Sequence, residues 1–284
     1  MLTMEANSIT KSVSDYLLWV KECHDIYVPQ IKASYFYFDT YFRGHASTSW
    51  ELLPSLFREK GVLHNEQWML NKANNLLWKK LGDCQSCLEK LVKLQHYGLH
   101  TRLLDITFNP LIALYFACQE ANNLNDSKDG IVYSGNLNEN NVKASEAIAE
   151  YIFKNDPYQI SENDIERICK SNQIERNILE SISIINPPQN NDRISAQSGA
   201  FIMPPLIKRQ PKEPYLYANH DYIKSSIEQA FNKSFVIPHE DKKNILLELD
   251  GLGINRATIF TDMYNKLCYI NEREEQEWKT IDLS

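Results

Sequence analysis

The sequence predicts a mixed α+β fold in which small central sheets are surrounded by helices. Three observations lead there. Segments of high β propensity alternate with segments of helical periodicity, helix start and stop signals bracket the latter, and a polar helical stretch at residues 140–185 interrupts the alternation as an insertion. With 284 residues, 43% of them hydrophobic and 11% aromatic, the chain can bury a large core without covalent staples.

Residues 1–34 are expected to form an N-terminal helical segment. Residues 10–27 have helical spacing, with Ser12 as a cap and Tyr16, Leu17, Val20 and Cys23 on one stripe. Residues 35–43 form an aromatic-rich strand ending at Gly44, which delivers Arg43 to its tip; the alternating Tyr and Phe residues are core material. Helices follow at 65–81 and 84–97, and Gly98 stands where a left-handed helix stop belongs. Residues 101–106 are extended.

Asn109 and Pro110 have the order of a cap followed by a first-turn proline, opening a helix over 111–121. Its Ala113, Tyr115, Phe116 and Ala117 suit a buried face. A short strand at 130–134 precedes the insertion, which is expected to lie over or beside the functional site. Residues 194–203 return to a strand pattern and lead into a proline-rich turn at 203–214. A helix at 223–231, a strand at 234–238 and helices at 241–249 and 256–270 complete the chain.

Charge and cysteine usage narrow the function classes. A net charge of -7 opposes a broad basic face that coats nucleic acid, although a local basic groove is compatible with it. The acidic excess at 146–180 and 272–277 reads as solvated helix faces. Among the six cysteines, Cys84 and Cys87 form a CxxC pair with no second pair or paired histidines beside it, so reduced thiols and no metal site are expected. No apolar run is long enough to cross a bilayer and residues 1–11 lack a leader pattern, so a cytoplasmic protein without a membrane partner is expected.

Three segments concentrate groups that could act on a ligand. In the first, Tyr41 to His45 followed by Ser47, Ser49 and Trp50, the planar fork of Arg43 beside Gly44 could approach a phosphate. The bland alternative is a salt bridge for Arg43 and a satisfied His45. The second, Leu94 to Thr107, gathers polar and ionisable groups at a junction between helices. Arg102 and Asp105 there could form an internal ion pair. His96 and His100 could act as acid or base, but no Ser or Cys nucleophile stands at a diagnostic spacing. In the third, Arg193 to Phe201, a strand would turn Gln197 away from Ala196 and Ser198, where it could hydrogen-bond a ligand but not act as a base.

Together these stretches resemble the FRG domain family. The motifs are Tyr41 to His45 with Trp50 and Leu53-Pro54-Ser55-Leu56, Gln95-His96-Tyr97-Gly98, Thr101 to Asp105, Asn109-Pro110 to Phe116-Ala117, and Ala196 to Phe201. The resemblance runs over 35–201, and 249–260, with Gly253-Ile254, looks like the family's usual end. Residues 35–284 are therefore read as one FRG domain with an insertion. The family occurs in bacterial and phage settings, often near defence or toxin systems.

More distantly, the pattern is similar to the ADP-ribosyltransferase fold, where a first-strand Arg or His holds NAD and a late strand presents an acid. That likeness implies NAD as substrate and Arg43, Asp105 and Gln197 as catalytic residues. It places Arg43, Gly44, His45, Gln95, His96, Tyr97, Thr101, Arg102, Thr107 and Tyr115 around the nucleotide, with Thr107 or Tyr115 at the nicotinamide. Neutral Gln197 departs from the expected acid, so that Asp105 must supply charge or the fold binds a nucleotide without transferring it.

Two functions follow from the resemblance. One is an ADP-ribosyltransferase-like toxin or anti-phage effector that modifies a nucleic-acid or protein target and is open to a neutralising partner. The other is a non-catalytic module sensing a nucleotide or phage component. A metal-dependent nuclease fits less well, because Asp105 lacks clustered carboxylates.

Overall fold

The computed structural model describes residues 12–25, 40–58, 64–120, 127–136, 141–187, 192–208 and 218–281. Six strands, β1 (Thr40–His45), β2 (Leu104–Thr107), β3 (Gly130–Asn136), β4 (Ser183–Ile185), β5 (Gly199–Met203) and β6 (Lys233–Ile237), form one sheet in the order β4-β5-β2-β1-β3-β6. Every neighbouring pair is antiparallel. The α+β class stands, but one open sheet replaces the several small ones expected. The strands are short and their partners distant in sequence, so local pattern alone does not join them.

Around the sheet, helices bury one face each. Val13–Asp25 starts with the Asp15 amide donating to Ser12 Oγ at 3.3 Å, as the cap predicts. It buries Val13, Tyr16, Trp19, Val20 and Cys23, whereas Leu17 is 43% exposed. Tyr16 lies edge-on to Phe235 at 5.4 Å and Trp19 edge-on to Phe42 at 6.3 Å, so the helix is docked on β1 and β6. Each such large apolar side chain contributes about 1.5–3 kcal/mol by leaving water.

The helix Pro110–Ala117 has the cap predicted for it, with Asn109 Oδ1 accepting from the Leu111 amide at 3.0 Å, and it ends sooner than its pattern suggests. It lies so close to β1 that a Cβ on Gly44 would stand 1.9 Å from the Ala113 carbonyl oxygen. Gly44 is therefore required by helix-on-strand packing, a demand separate from the expected clearing of a path for phosphate. Gly98, at φ +92, terminates the helix Cys87–His96 as read from the sequence.

Residues 140–185 depart most from expectation. Val142–Lys154 places Ala147, Ile148, Tyr151 and Ile152 on one stripe, and this stripe joins Leu70, Leu88 and Leu91 in a core cluster. Ser183–Ile185 becomes edge strand β4. The segment thus contributes to the core, and in the sequence its polar outer face conceals the buried one. Elsewhere, the helix expected over 65–81 divides at Leu77 into Glu66–Leu76 and Trp78–Leu81. The one expected over 256–270 becomes Arg256–Ile259 and Met263–Ile281. Residues 35–39 of the aromatic segment lie outside the described residues. No described helix is long and apolar enough to cross a membrane.

Candidate functional site

β1 runs beside β3 along its length, and β2 beside β5, but β1 and β2 are joined by the single pair Phe42 and Thr107. Past that point the ladder stops. A cavity of about 410 Å³ opens there, with Arg43, Asp105 and Gln197 all on its wall. Such a volume suits a small organic ligand. The helical segment at 142–185 contributes nothing to this wall, so it does not lie over the site.

Arg43 sits within β1 rather than at its tip, since the strand continues to His45. Its Nε donates to His45 Nε2 at 2.9 Å and its Nη1 donates across the gap to the Asp105 carbonyl oxygen at 2.6 Å. The Asp105 carboxylate is 3.9 Å from Nη1 and its side chain is 63% exposed. Among the described residues Nη2 makes no hydrogen bond, which leaves one edge of the fork for an incoming acceptor. Burial lowers the Arg43 pKa to about 10, against the upward pull of Asp105 and with a further downward push from Arg58.

His45 is 1% exposed and wedged beside Trp50 and Tyr133, with ring centroids at 6.0 and 5.4 Å. Burial first, then the charges of Arg43 and Arg58, drive its pKa down to about 2. A neutral imidazole whose Nε2 accepts from Arg43 must carry its proton on Nδ1. Nδ1 is itself buried without a hydrogen bond of good geometry; the Trp50 backbone only weakly favours the charged form. His45 therefore orients Arg43 and does not serve as a base near neutral pH.

Asp105 is braced from the side. Gln95 Nε2 donates to Asp105 Oδ1 at 2.9 Å, while Thr101 Oγ1 donates to Gln95 Oε1 and accepts from the Leu103 amide at 3.2 Å. Gln95 and His96 line the cavity at the end of Cys87–His96, with the His96 pKa lowered by burial and then by Arg193. Thr107 Oγ1 donates to the Gln197 carbonyl oxygen at 2.7 Å and pins the turn that carries Gln197.

That turn corrects another expectation. Residues 192–196 are helical and Ser198 has φ +46, so Gln197 lies in the turn before β5 and not on a strand. Its Nε2 points to the Ile259 carbonyl oxygen at 3.4 Å. β5 itself, Gly-Ala-Phe-Ile-Met, carries no acid.

Several expected contacts fall elsewhere. Arg102 does not line this cavity and does not pair with Asp105: its Nε and Nη2 donate to Glu66 Oε1 and Oε2 at 2.7 and 2.5 Å, both side chains buried. Thr101 is buried outside the cavity and Tyr97 is 72% exposed away from it. Tyr115 turns to a different cavity, its hydroxyl pKa pushed to about 12 by burial, and Phe116 takes its place on the site wall. Cys84 and Cys87 are free thiols whose pKa values burial raises.

Sequence reasoning passed over Arg58, and gave Arg193 and Trp50 no role of their own, although all three line the cavity. Arg193 stacks its guanidinium 5.0 Å from the Phe260 ring centre. The only local signal for Arg58 was its place just after Leu53-Pro54-Ser55-Leu56, a proline-opened helical turn.

Residues 39–126 match the FRG domain. This FRG segment supplies β1, β2 and Pro110–Ala117, and with them Arg43, His45, Arg58, Gln95 and Asp105. Gln197 and Arg193 come from outside it, and the expected extension to 201 and 249–260 is not part of the match. No curated protein and no solved structure matches the chain.

Proposed function

We propose that this FRG-domain protein is an NAD-using ADP-ribosyltransferase-like effector that modifies a macromolecule, nucleic acid or protein, in toxin or anti-phage defence. The observation that carries the reading is the open Arg43 fork beside an exposed carboxylate in a cavity where two strands part. A largely shielded guanidinium with an open edge fits a phosphate group bidentately. NAD, when bound, supplies the ADP-ribosyl group. On this reading Arg43 holds phosphate or ribose, Asp105 offsets positive charge developing on the ribose, and Thr107 and Phe116 line the base-side wall. Gln197 contributes a dipole from its turn.

The rival reading is a nucleotide-sensing module without turnover. It is favoured by the absence of an acid on β5 and by the direction of Gln197 Nε2 toward Ile259 rather than the cavity. The deciding experiment incubates the protein with labelled NAD and cell extract, alongside Arg43→Ala. Transfer or NAD consumption that falls about 100-fold in the variant is expected. Absence of both with the wild-type protein would remove the transferase reading, and calorimetric nucleotide binding without turnover would establish the rival.

A further inference from the structure

Arg58 enters the cavity wall from the end of the turn Ser55–Arg58, opposite in origin to Arg43 on β1. The two arginines are held in the same way. Nε of Arg58 donates inward to the Leu53 carbonyl oxygen at 3.0 Å, as Nε of Arg43 donates to His45. Both guanidiniums are thereby anchored at one end. Among the described residues neither Nη of Arg58 makes a hydrogen bond, and Nη2 of Arg43 makes none.

Charge sharpens this arrangement. The two cations are near enough that Arg58 lowers the Arg43 pKa, and both feel Asp105. Asp105 has one carboxylate oxygen engaged by Gln95 and the other 3.9 Å from Arg43. Glu51 also attracts Arg58, but Lys224 holds it at 2.7 Å. Glu120 lines the same cavity without entering the charges that act on either arginine. Two partly desolvated guanidiniums therefore share one divided carboxylate, leaving a surplus positive charge and two separate sets of open donors.

We infer that Arg58 and Arg43 form a two-point clamp for a diphosphate group, so that the cavity selects a nucleoside diphosphate or dinucleotide over a monophosphate. A single phosphate satisfies one fork, whereas two adjacent phosphates satisfy both and offset the surplus charge. This inference rests on the nucleotide-binding reading of the cavity and adds Arg58 as the residue that counts phosphates.

The test is calorimetry of ADP, AMP, adenosine and inorganic pyrophosphate against wild type, Arg58→Gln and Arg58→Lys, with thermal midpoints confirming the fold. Wild type is expected to bind ADP about tenfold or more tighter than AMP, one charge-assisted contact being worth that much. Arg58→Gln should bring the two within about twofold and leave adenosine unchanged, and Arg58→Lys should fall between. Measurable but equal binding of ADP and AMP by wild type, or a loss in Arg58→Gln shared by adenosine, would overturn the clamp. Pyrophosphate binding that depends on Arg58 while all nucleotides and NAD fail to bind would keep the clamp and remove the nucleotide reading. Failure of pyrophosphate and ADP alike would overturn the clamp, even if transfer from NAD were observed.

Discussion

Two arginines of the FRG segment, Arg102 and Arg43, have opposite fates. Arg102 sets Nε and Nη2 side by side on a single carboxylate, Glu66, and both side chains are shut away from solvent. Arg43 is divided among an imidazole, a backbone carbonyl and a carboxylate 3.9 Å away, and one edge stays open toward a cavity. A closed bidentate pair fixes two chain segments to each other; an open, braced guanidinium keeps binding capacity. The difference separates a residue that builds the fold from one that can meet a ligand.

The largest expected effect breaks the closed pair. Arg102→Ala strands the Glu66 carboxylate in the interior and should cost about 3–5 kcal/mol in urea unfolding. Arg43→Ala leaves no buried orphan charge and should cost about 1 kcal/mol. Equal losses in the two variants would erase the contrast.

The next effect concerns His45, the acceptor that holds Arg43. Its folded pKa of about 2 lies below the unfolded value of about 6.5, so between those limits the unfolded chain binds the extra proton. Stability must then rise with pH across that window and fall on acidification below about 6.5, at up to about 1.4 kcal/mol per pH unit. Between pH 7 and pH 5, His45 should account for about 2 kcal/mol. His45→Gln, which keeps an acceptor but does not titrate, should show a correspondingly shallower loss in urea melts at the two pH values; identical slopes would contradict a neutral buried imidazole.

Smallest is the brace on Asp105. Gln95→Leu removes both the donor to Asp105 and the acceptor for Thr101, and should cost about 1 kcal/mol. It should weaken nucleotide binding several-fold in calorimetry while keeping the ADP-to-AMP discrimination that Arg58→Gln loses.

Local physics was legible where a signal and its effect lie within a few residues. Asn109 before Pro110, Gly98 after its helix, and Ser12 ahead of Asp15 each act on backbone groups one to three positions away, and each does so in the structure. The misreadings share the opposite property. The pattern over 194–203 suggests a strand at Gln197, and nothing in it reveals that Ser198 adopts a positive φ. The pattern over 140–185 suggests an insertion over or beside the site because a polar face is visible in sequence, whereas packing beside Leu88 and Leu91 is not. Tyr115 and Phe116 exchanged roles because adjacent helical residues point about 100° apart, and only the position of β1 decides which of them meets the cavity.

Propensity, periodicity, caps and motif are local properties, and they suffice for the α+β class, most element positions and the stretch that supplies Arg43, Asp105 and Gln95. Tertiary structure alone decided that Arg102 is spent on Glu66 while Arg43 and Arg58 keep open donors. A side chain's hydrogen-bond partners are chosen by which distant segments the sheet brings alongside it, and where β1 and β2 part, no strand among the described residues closes the gap.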